Sequence, residues 1–382
     1  MSTWGRTFLC SYSLYLWHWP VFALSHYWSL EVPSLKHRVV LVLASFCLAV
    51  ISWRFVEKPI RNKTVCGRRS SLTSWAGGLA AILTAWAVLL ILLKGIPSRF
   101  SKEFLAYDDA KREGTAQRRL IAKVSLEDAR GGHFPRLGKA DARHPSLMVW
   151  GDSHAERVLP AVHVLGGQAG IGVVAAWYPG TPPVIGYCPP WNFSLGKESS
   201  DFNQATLDFI ATERIPGVLL VARWSQYFAD DAGGSSNRGE FGRQLLKMVR
   251  GLREVGAKPF ILAEVPKHLI DVPRALRIQR ARGSEIRRYV CDRHDLSVQN
   301  QAMNSIYRDL EAAGAIIVDA SGLLLEDQGA SFKIEVDGKP LYTDDNHLTR
   351  SGASTISRAF EPVVLFSKEE SEARFSEAPG SK

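Results

Sequence analysis

The sequence is poor in cysteine and has no C-x-x-C pair: five cysteines lie scattered singly over 382 residues, which argues against a zinc ribbon or finger. No metal-binding or nucleotide-binding signature is present, so no cofactor is expected. RNP-like, zinc-finger and helix-turn-helix patterns are also missing, so the formal net charge of +9 does not read as nucleic-acid binding. No signal-peptide pattern is read at its start either, because the apolar stretch from Thr7 is too long and lacks a small-residue cleavage site. Asp, Glu, Lys and Arg are all absent from three early runs, Thr7 to Leu30, Val39 to Trp53 and Leu72 to Leu93.

Those runs concentrate the apolar character of a chain that is otherwise average, with 46% hydrophobic and 22% charged residues. Each is read as a transmembrane helix, the second completed by flanking residues to reach the roughly 20 needed. Between the second and third lies a short loop holding Arg54, Lys58, Arg61, Lys63, Arg68 and Arg69. Positive residues in a short loop favour the cytoplasmic side. The third run then leads outward, and everything after Lys94 is expected outside the cytoplasm. Cys10 and Cys47 fall in apolar runs and Cys66 in the basic loop, whereas Cys188 and Cys291 lie beyond. In an oxidising compartment these last two are free to pair, with unpaired burial as the alternative. His18, between Trp17 and Trp19, is read as a neutral histidine of an aromatic interface belt rather than as a reacting group.

Residues 96–145 read as a polar connector with a short helix around Ala110 to Val124. After Pro145 strands and helices alternate. Strands are expected at Leu147–Trp150, Ile171–Ala176, Gly217–Ala222, Pro259–Glu264 and Ala315–Val318. Helices are expected between them, including a long polar helical stretch to Leu310, and a closing helix follows Thr349. Such repetition implies an α/β fold with a mainly parallel sheet and helices on both faces. The divisions are a membrane region 1–95, the connector, an α/β domain 146–368 and a polar tail 369–382.

The first strand runs straight into Gly151-Asp152-Ser153-His154, a strand-to-helix turn at the carboxyl edge of the sheet, where open α/β folds place ligands. Ser153 is a candidate nucleophile, with helix capping by Asp152 or Ser153 as the bland reading. A serine needs a base, and the base needs an orienting group. Both occur in LYTDDNHLTRSGA, with His347, 194 residues after Ser153, as base and Asp344 or Asp345 as its carboxylate. There too a capping loop, with Asn346 or Thr349 starting the last helix, is the alternative.

The order of these two blocks resembles the SGNH (GDSL-like) hydrolase family, a flavodoxin-like three-layer fold. That resemblance assigns Ser153, His347 and, by its D-x-x-H spacing, Asp344. The family completes an oxyanion hole with the serine amide, a glycine amide and an asparagine. Here ARWSQY follows the third strand and contains no asparagine. Gly180 is therefore the glycine candidate, and Arg223 or Trp224 are candidate donors in the asparagine's place. SYSLYLWHWPVF and RFVEKPIRN resemble the closing segments of the acyltransferase-3 family of multispanning membrane proteins, some of which carry an exported SGNH domain. Only the last few helices of that family are present, which suggests a truncated or split membrane half. The resemblances imply a membrane-anchored O-acyltransferase, usually acetyl, of the bacterial inner membrane, multi-pass, with its α/β domain on the periplasmic side. Its partners would be an acyl donor and a cell-surface glycan such as lipopolysaccharide. A carbohydrate or lipid esterase with the same triad, and a non-catalytic membrane scaffold, are the other readings.

Overall fold

The computed structural model describes residues 11–31, 33–62, 69–189, 191–227, 235–326 and 329–376. Cys10, the first residues of the first apolar run, Lys63, Cys66 and Arg68 of the basic loop and the end of the polar tail lie outside them. The chain forms two compact units, Met1–Ser101 and Lys102–Lys382.

Among its described residues the first unit holds three long helices, α1 (Ser11–Trp28), α2 (Leu35–Arg61) and α3 (Arg69–Leu92). Ser13 at the start of α1 donates to Glu57 near the end of α2 at 3.0 Å, and Ser25 lies 2.8 Å from His37 at the other end. The two helices therefore pack antiparallel. A π-helical turn at Trp53–Glu57 sits where α2 approaches Pro59. Among the described residues two helices, not three, are long and apolar enough to cross a membrane, Leu35–Arg61 and Thr73–Leu92. The described helix of the first run falls short for a chemical reason: it is uncharged but spends three serines, two histidines and Pro20 among its 18 residues, which cancels the hydropathy of its leucines. In contrast, α3 exposes Trp75, Leu79, Ile82, Leu83 and Trp86 along its length, and its apolar window is 0% buried.

The second unit opens with α4 (Lys102–Leu120) and α5 (Leu126–Arg130). A six-stranded sheet follows, built from β1 (Arg136–Gly138), β2 (Pro145–Gly151), β3 (Gly172–Trp177), β4 (Gly217–Val221), β5 (Lys258–Leu262) and β6 (Ile316–Val318). Its order is β1-β3-β2-β4-β5-β6, with β1 antiparallel to β3 and every other pair parallel. The five parallel strands thus have the flavodoxin-like order, reversing direction of growth between β2 and β4. Both central strands are buried along their whole length, which explains why the sequence shows continuous apolar runs there rather than alternation.

Helices cover both faces. Met148, Trp150, Val218 and Leu220 point into a core shared with α7 (Ser199–Glu213), α8 (Ser235–Glu254) and α10 (Arg293–Ala312). On the other face lie α6 (Ser153–Ala169) and α12 (Glu361–Ser376). Between β5 and β6 the long polar stretch divides into α9 (Val272–Arg282) and α10, because Gly283 ends α9 at φ +67°. A small hairpin, β7 (Glu335–Val336) with β8 (Lys339–Pro340), and the short α11 (Arg350–Thr355) complete the unit.

The approach of β2 to β4 explains Gly151. A methyl group there would overlap the Val221 carbonyl oxygen and stand 2.7 Å from its carbon. Gly151→Ala is expected to force the strands apart and to cost at least the upper end of the ~1–3 kcal/mol typical of overpacking. Thermal or denaturant melts check this, and an unchanged midpoint would refute it.

Candidate active site

Ser153 and His347 meet at the carboxyl edge of the sheet, beside the β2/β4 switch point. Asp152, not Ser153, caps α6: its side chain accepts from the His154 amide at 2.7 Å. Ser153 is the first helical residue, and its hydroxyl is left to face His347 Nε2 at 2.8 Å. The second bland reading is resolved in the same way. Thr349 caps α11 by accepting from the Gly352 amide at 3.0 Å, so the preceding Asp344–His347 turn is spared that task.

His347 Nδ1 lies 2.7 Å from Asp344 Oδ2. The other oxygen, Oδ1, accepts from the backbone amides of Asn346 at 2.9 Å and His347 at 2.8 Å. Burial pushes the Asp344 carboxyl up, but the His347 hydrogen bond, its charge and the two amides outweigh this and hold it well below the usual carboxylate range. A carboxylate in that position fixes a proton on Nδ1 and leaves Nε2 to accept from serine. Asp345 is differently placed. Its side chain accepts from Asn346 Nδ2 at 2.6 Å and sits 3.9 Å from Lys267 Nζ.

Asp152 does more than cap. Its second oxygen accepts from the Arg223 amide at 3.0 Å and from the Tyr227 hydroxyl at 2.7 Å, tying the segment after β4 to the residue before Ser153. Burial raises its pKa despite these three donors. Tyr227 carries no sequence signal for this task, because it is 75 residues away in a short 3₁₀ turn (Trp224–Tyr227).

The oxyanion candidates separate. Trp224 is withdrawn: it is fully buried and its indole donates to the Leu262 carbonyl at 2.8 Å, so packing takes the donor that sequence left available. The Arg223 guanidinium has no hydrogen-bond or ion-pair partner among the described residues and lines a cavity beside His154. Gly180 lies in the turn after β3 with φ +60°. That turn is tied to the site by the Tyr178 amide, which donates to the Gly151 carbonyl at 3.2 Å. Its own amide, like that of Ser153, has no partner among the described residues.

Cys188 and Cys291 do not form a disulfide. Cys188 is exposed, whereas Cys291 is 1% exposed and its thiol contacts the Asp292 carbonyl at 3.4 Å and Gln299 at 3.6 Å. Burial, with nearby Asp295 and Asp292, pushes that thiol up to about 12, so it stays protonated. His18 belongs to α1, where its Nδ1 meets the Tyr15 carbonyl at 2.8 Å. No group of three or more metal-ligating side chains occurs among the described residues.

The sequence position of His154 carries no functional signal. Its ring packs on that of His347, with centroids 4.6 Å apart. Burial, then the charges of His347 and Arg223, hold it well below the ordinary histidine value, so it is neutral near pH 7.

A nucleophile, a base and an orienting carboxylate in hydrogen-bonded series on this sheet order agree with a family profile described as "SGNH domain (fused to AT3 domains)", which matches residues 122–362. The chain belongs to this SGNH family. Among solved structures, the periplasmic domain of a lipopolysaccharide acetyltransferase from Salmonella ser. Paratyphi A superposes with a TM-score of 0.51 at 14% identity, covering 70% of this chain and 98% of that one. A GDSL-like lipase from Bacteroides thetaiotaomicron reaches 0.35 at 11% identity, over 69% and 99%. A curated relative, O-acetyltransferase OatA of Staphylococcus aureus (strain NCTC 8325 / PS 47), is 46% identical over 55 residues, 14% of this chain. The match spans only 9% of that relative's length.

Proposed function

We propose that this SGNH-family chain is a membrane-anchored O-acyltransferase that moves an acetyl group to a hydroxyl of a cell-envelope glycan through an ester on Ser153. The observation that carries the chemistry is the hydrogen-bonded series Ser153 Oγ, His347 Nε2, His347 Nδ1, Asp344. In the first half-reaction Ser153 Oγ attacks the donor's acyl carbonyl. An O–C bond forms, and the serine proton passes to His347 Nε2. The donor's bond to the acyl carbon then breaks, and its leaving group takes that proton. In the second half, an acceptor hydroxyl gives its proton to His347 as it attacks the ester. The Ser153 Oγ–carbon bond breaks and Oγ recovers the proton. The negative charge on the carbonyl oxygen is met by the Ser153 amide at the positive end of α6, the Gly180 amide and the Arg223 guanidinium.

Transfer rather than hydrolysis is favoured by two neighbours in name, a lipopolysaccharide acetyltransferase domain and an O-acetyltransferase. The exposed apolar length of α3 supports a lipid-facing helix, and the basic residues preceding it support an extracytoplasmic α/β unit in the inner membrane. The test is a full-chain preparation in detergent, given an acetyl ester and quenched for peptide mapping. Acetyl is expected on Ser153 and, with a glycan present, later on the glycan. Acetyl on Ser153 that passes only to water would make the protein an esterase; no acetyl on Ser153 would defeat the reading.

A further inference from the structure

The two oxyanion arms beside Ser153 come from different loops, Arg223 from the segment after β4 and Gly180 from the turn after β3. Donors of this kind work by being fixed in place before charge develops, and a misplacement of about 1 Å can cost on the order of 10²-fold in rate. Tyr227 reaches both loops. Its hydroxyl donates to Asp152 Oδ2 at 2.7 Å, the oxygen that also accepts from the Arg223 amide at 3.0 Å. The turn between Arg223 and Tyr227 is pinned along its length. The Gln226 amide donates to the Arg223 carbonyl at 3.2 Å, the Trp224 indole is bound by Leu262, and the Ser225 amide and hydroxyl both donate to Glu264.

The ring of Tyr227 leads the other way, to Gly180. Trp191 packs on it with centroids 5.4 Å apart, and Trp191 in turn stacks on Phe193 at 5.8 Å with 8° between the planes. Phe193 lies so close to Gly180 that a methyl group there would overlap its ring. The Leu195 amide donates to Thr181 Oγ1 at 3.1 Å, tying the same loop to the same turn. Tyr227 is held firmly enough to transmit position. It is fully buried, with Phe241 stacked at 5.8 Å and Tyr187 edge-on at 5.9 Å, and the Tyr187 hydroxyl donates to its carbonyl at 2.7 Å. Burial and the charge of Asp152 hold its phenol well above the ordinary value, so it keeps the proton it donates. We propose that Tyr227 is the positioning residue of the oxyanion site: its hydroxyl sets Arg223 through Asp152, and its ring sets Gly180 through Trp191 and Phe193. The inference rests on the acyl-enzyme reading given above.

The experiment uses full-length protein in detergent, a chromogenic acetyl ester as substrate, and methylboronic acid as probe. The boronic acid bonds to a serine oxygen as a tetrahedral anion and so reads the oxyanion site without turnover. Tyr227→Phe keeps the ring and removes the hydroxyl. Its kcat is expected to fall by about 10-fold to 100-fold with KM within about twofold, and the inhibition constant of the boronic acid should rise in parallel. In an Arg223→Ala background the same substitution should change kcat by less than about threefold, because the donor that the hydroxyl sets is gone. Trp191→Leu, at a half-buried position that leaves the Asp152 bonds intact, should also weaken the boronic acid, by way of Gly180. A merely structural role would reduce the amount of active protein, so kcat would fall while the inhibition constant kept its wild-type value. That result, losses from Tyr227→Phe and Arg223→Ala that simply multiply, or wild-type boronic acid affinity in both Tyr227→Phe and Trp191→Leu overturns the proposal. Failure of the acyl-enzyme reading looks different: the wild type itself would show no ester release through Ser153 and no inhibition by the boronic acid.

Discussion

Ser153→Ala is expected to cut acyl-ester release by a factor on the order of 10⁶, the scale seen when the serine of such a unit is removed. His347→Ala should fall to a similar floor, and the double variant should be no worse than either single one, because the two act in one proton path. Folding gives the contrast that separates catalysis from capping. Were Ser153 a helix cap, its removal would cost about 1 kcal/mol of stability and leave turnover intact. Since Asp152 already caps α6 and Ser153 is its first helical residue, the opposite pattern is expected: the melting midpoint stays close to wild type while turnover collapses. Initial rates with a chromogenic acetyl ester, measured alongside melts, decide between them. A Ser153→Ala protein that keeps its rate would remove the acyl-enzyme from consideration.

What could be read from the sequence follows from how locally each feature is encoded. The five parallel strands announce themselves because each is an unbroken apolar run bounded by polar or glycine residues, and the observed ends differ from the expected ones by only a residue or two. The antiparallel β1 is different. Arg136–Gly138 is three residues long, too short for periodicity, and it is strand only because β3 offers an open edge. The triad was legible because Asp344 and His347 share one turn and Gly151-Asp152-Ser153 ends a strand. By comparison, the fates of Trp224 and Cys291 depend on what packs around them. The indole is consumed by Leu262, and the thiol is buried against Gln299, facts carried by residues 38 and 8 positions away. The first run shows the same limit: it carries no charge, yet its described helix is rich in serine and histidine and so lacks the apolarity of the other two.

The two adjacent aspartates give the sharpest test of orientation, with Asp344→Asn expected to lower turnover by about 10⁴-fold and Asp345→Asn to leave it within a few-fold. At position 344 one oxygen is already claimed by two backbone amides. An asparagine must keep its oxygen there, because the amide group would otherwise meet two N–H donors. Its NH₂ then faces His347 Nδ1 and donates to it, which moves the ring proton to Nε2, and that nitrogen can no longer accept from Ser153. The ring stays in place while its tautomer is wrong, so the loss appears in kcat with little change in the melt near neutral pH beyond the exchanged hydrogen bond. Asp345, bonded to Asn346 and near Lys267, cannot alter the tautomer. The pH dependence has a definite sign. The folded-state pKa of Asp344 is depressed, so its contribution to stability is present above the ordinary carboxylate value of about 4. It is lost as pH falls through the folded value, when Asp344 takes up a proton. The stability gap between wild type and Asp344→Asn should therefore close on acidification below about pH 4. Equal rate losses at 344 and 345, or a gap that widens in acid, would refute the assignment of Asp344 as the carboxylate that orients His347.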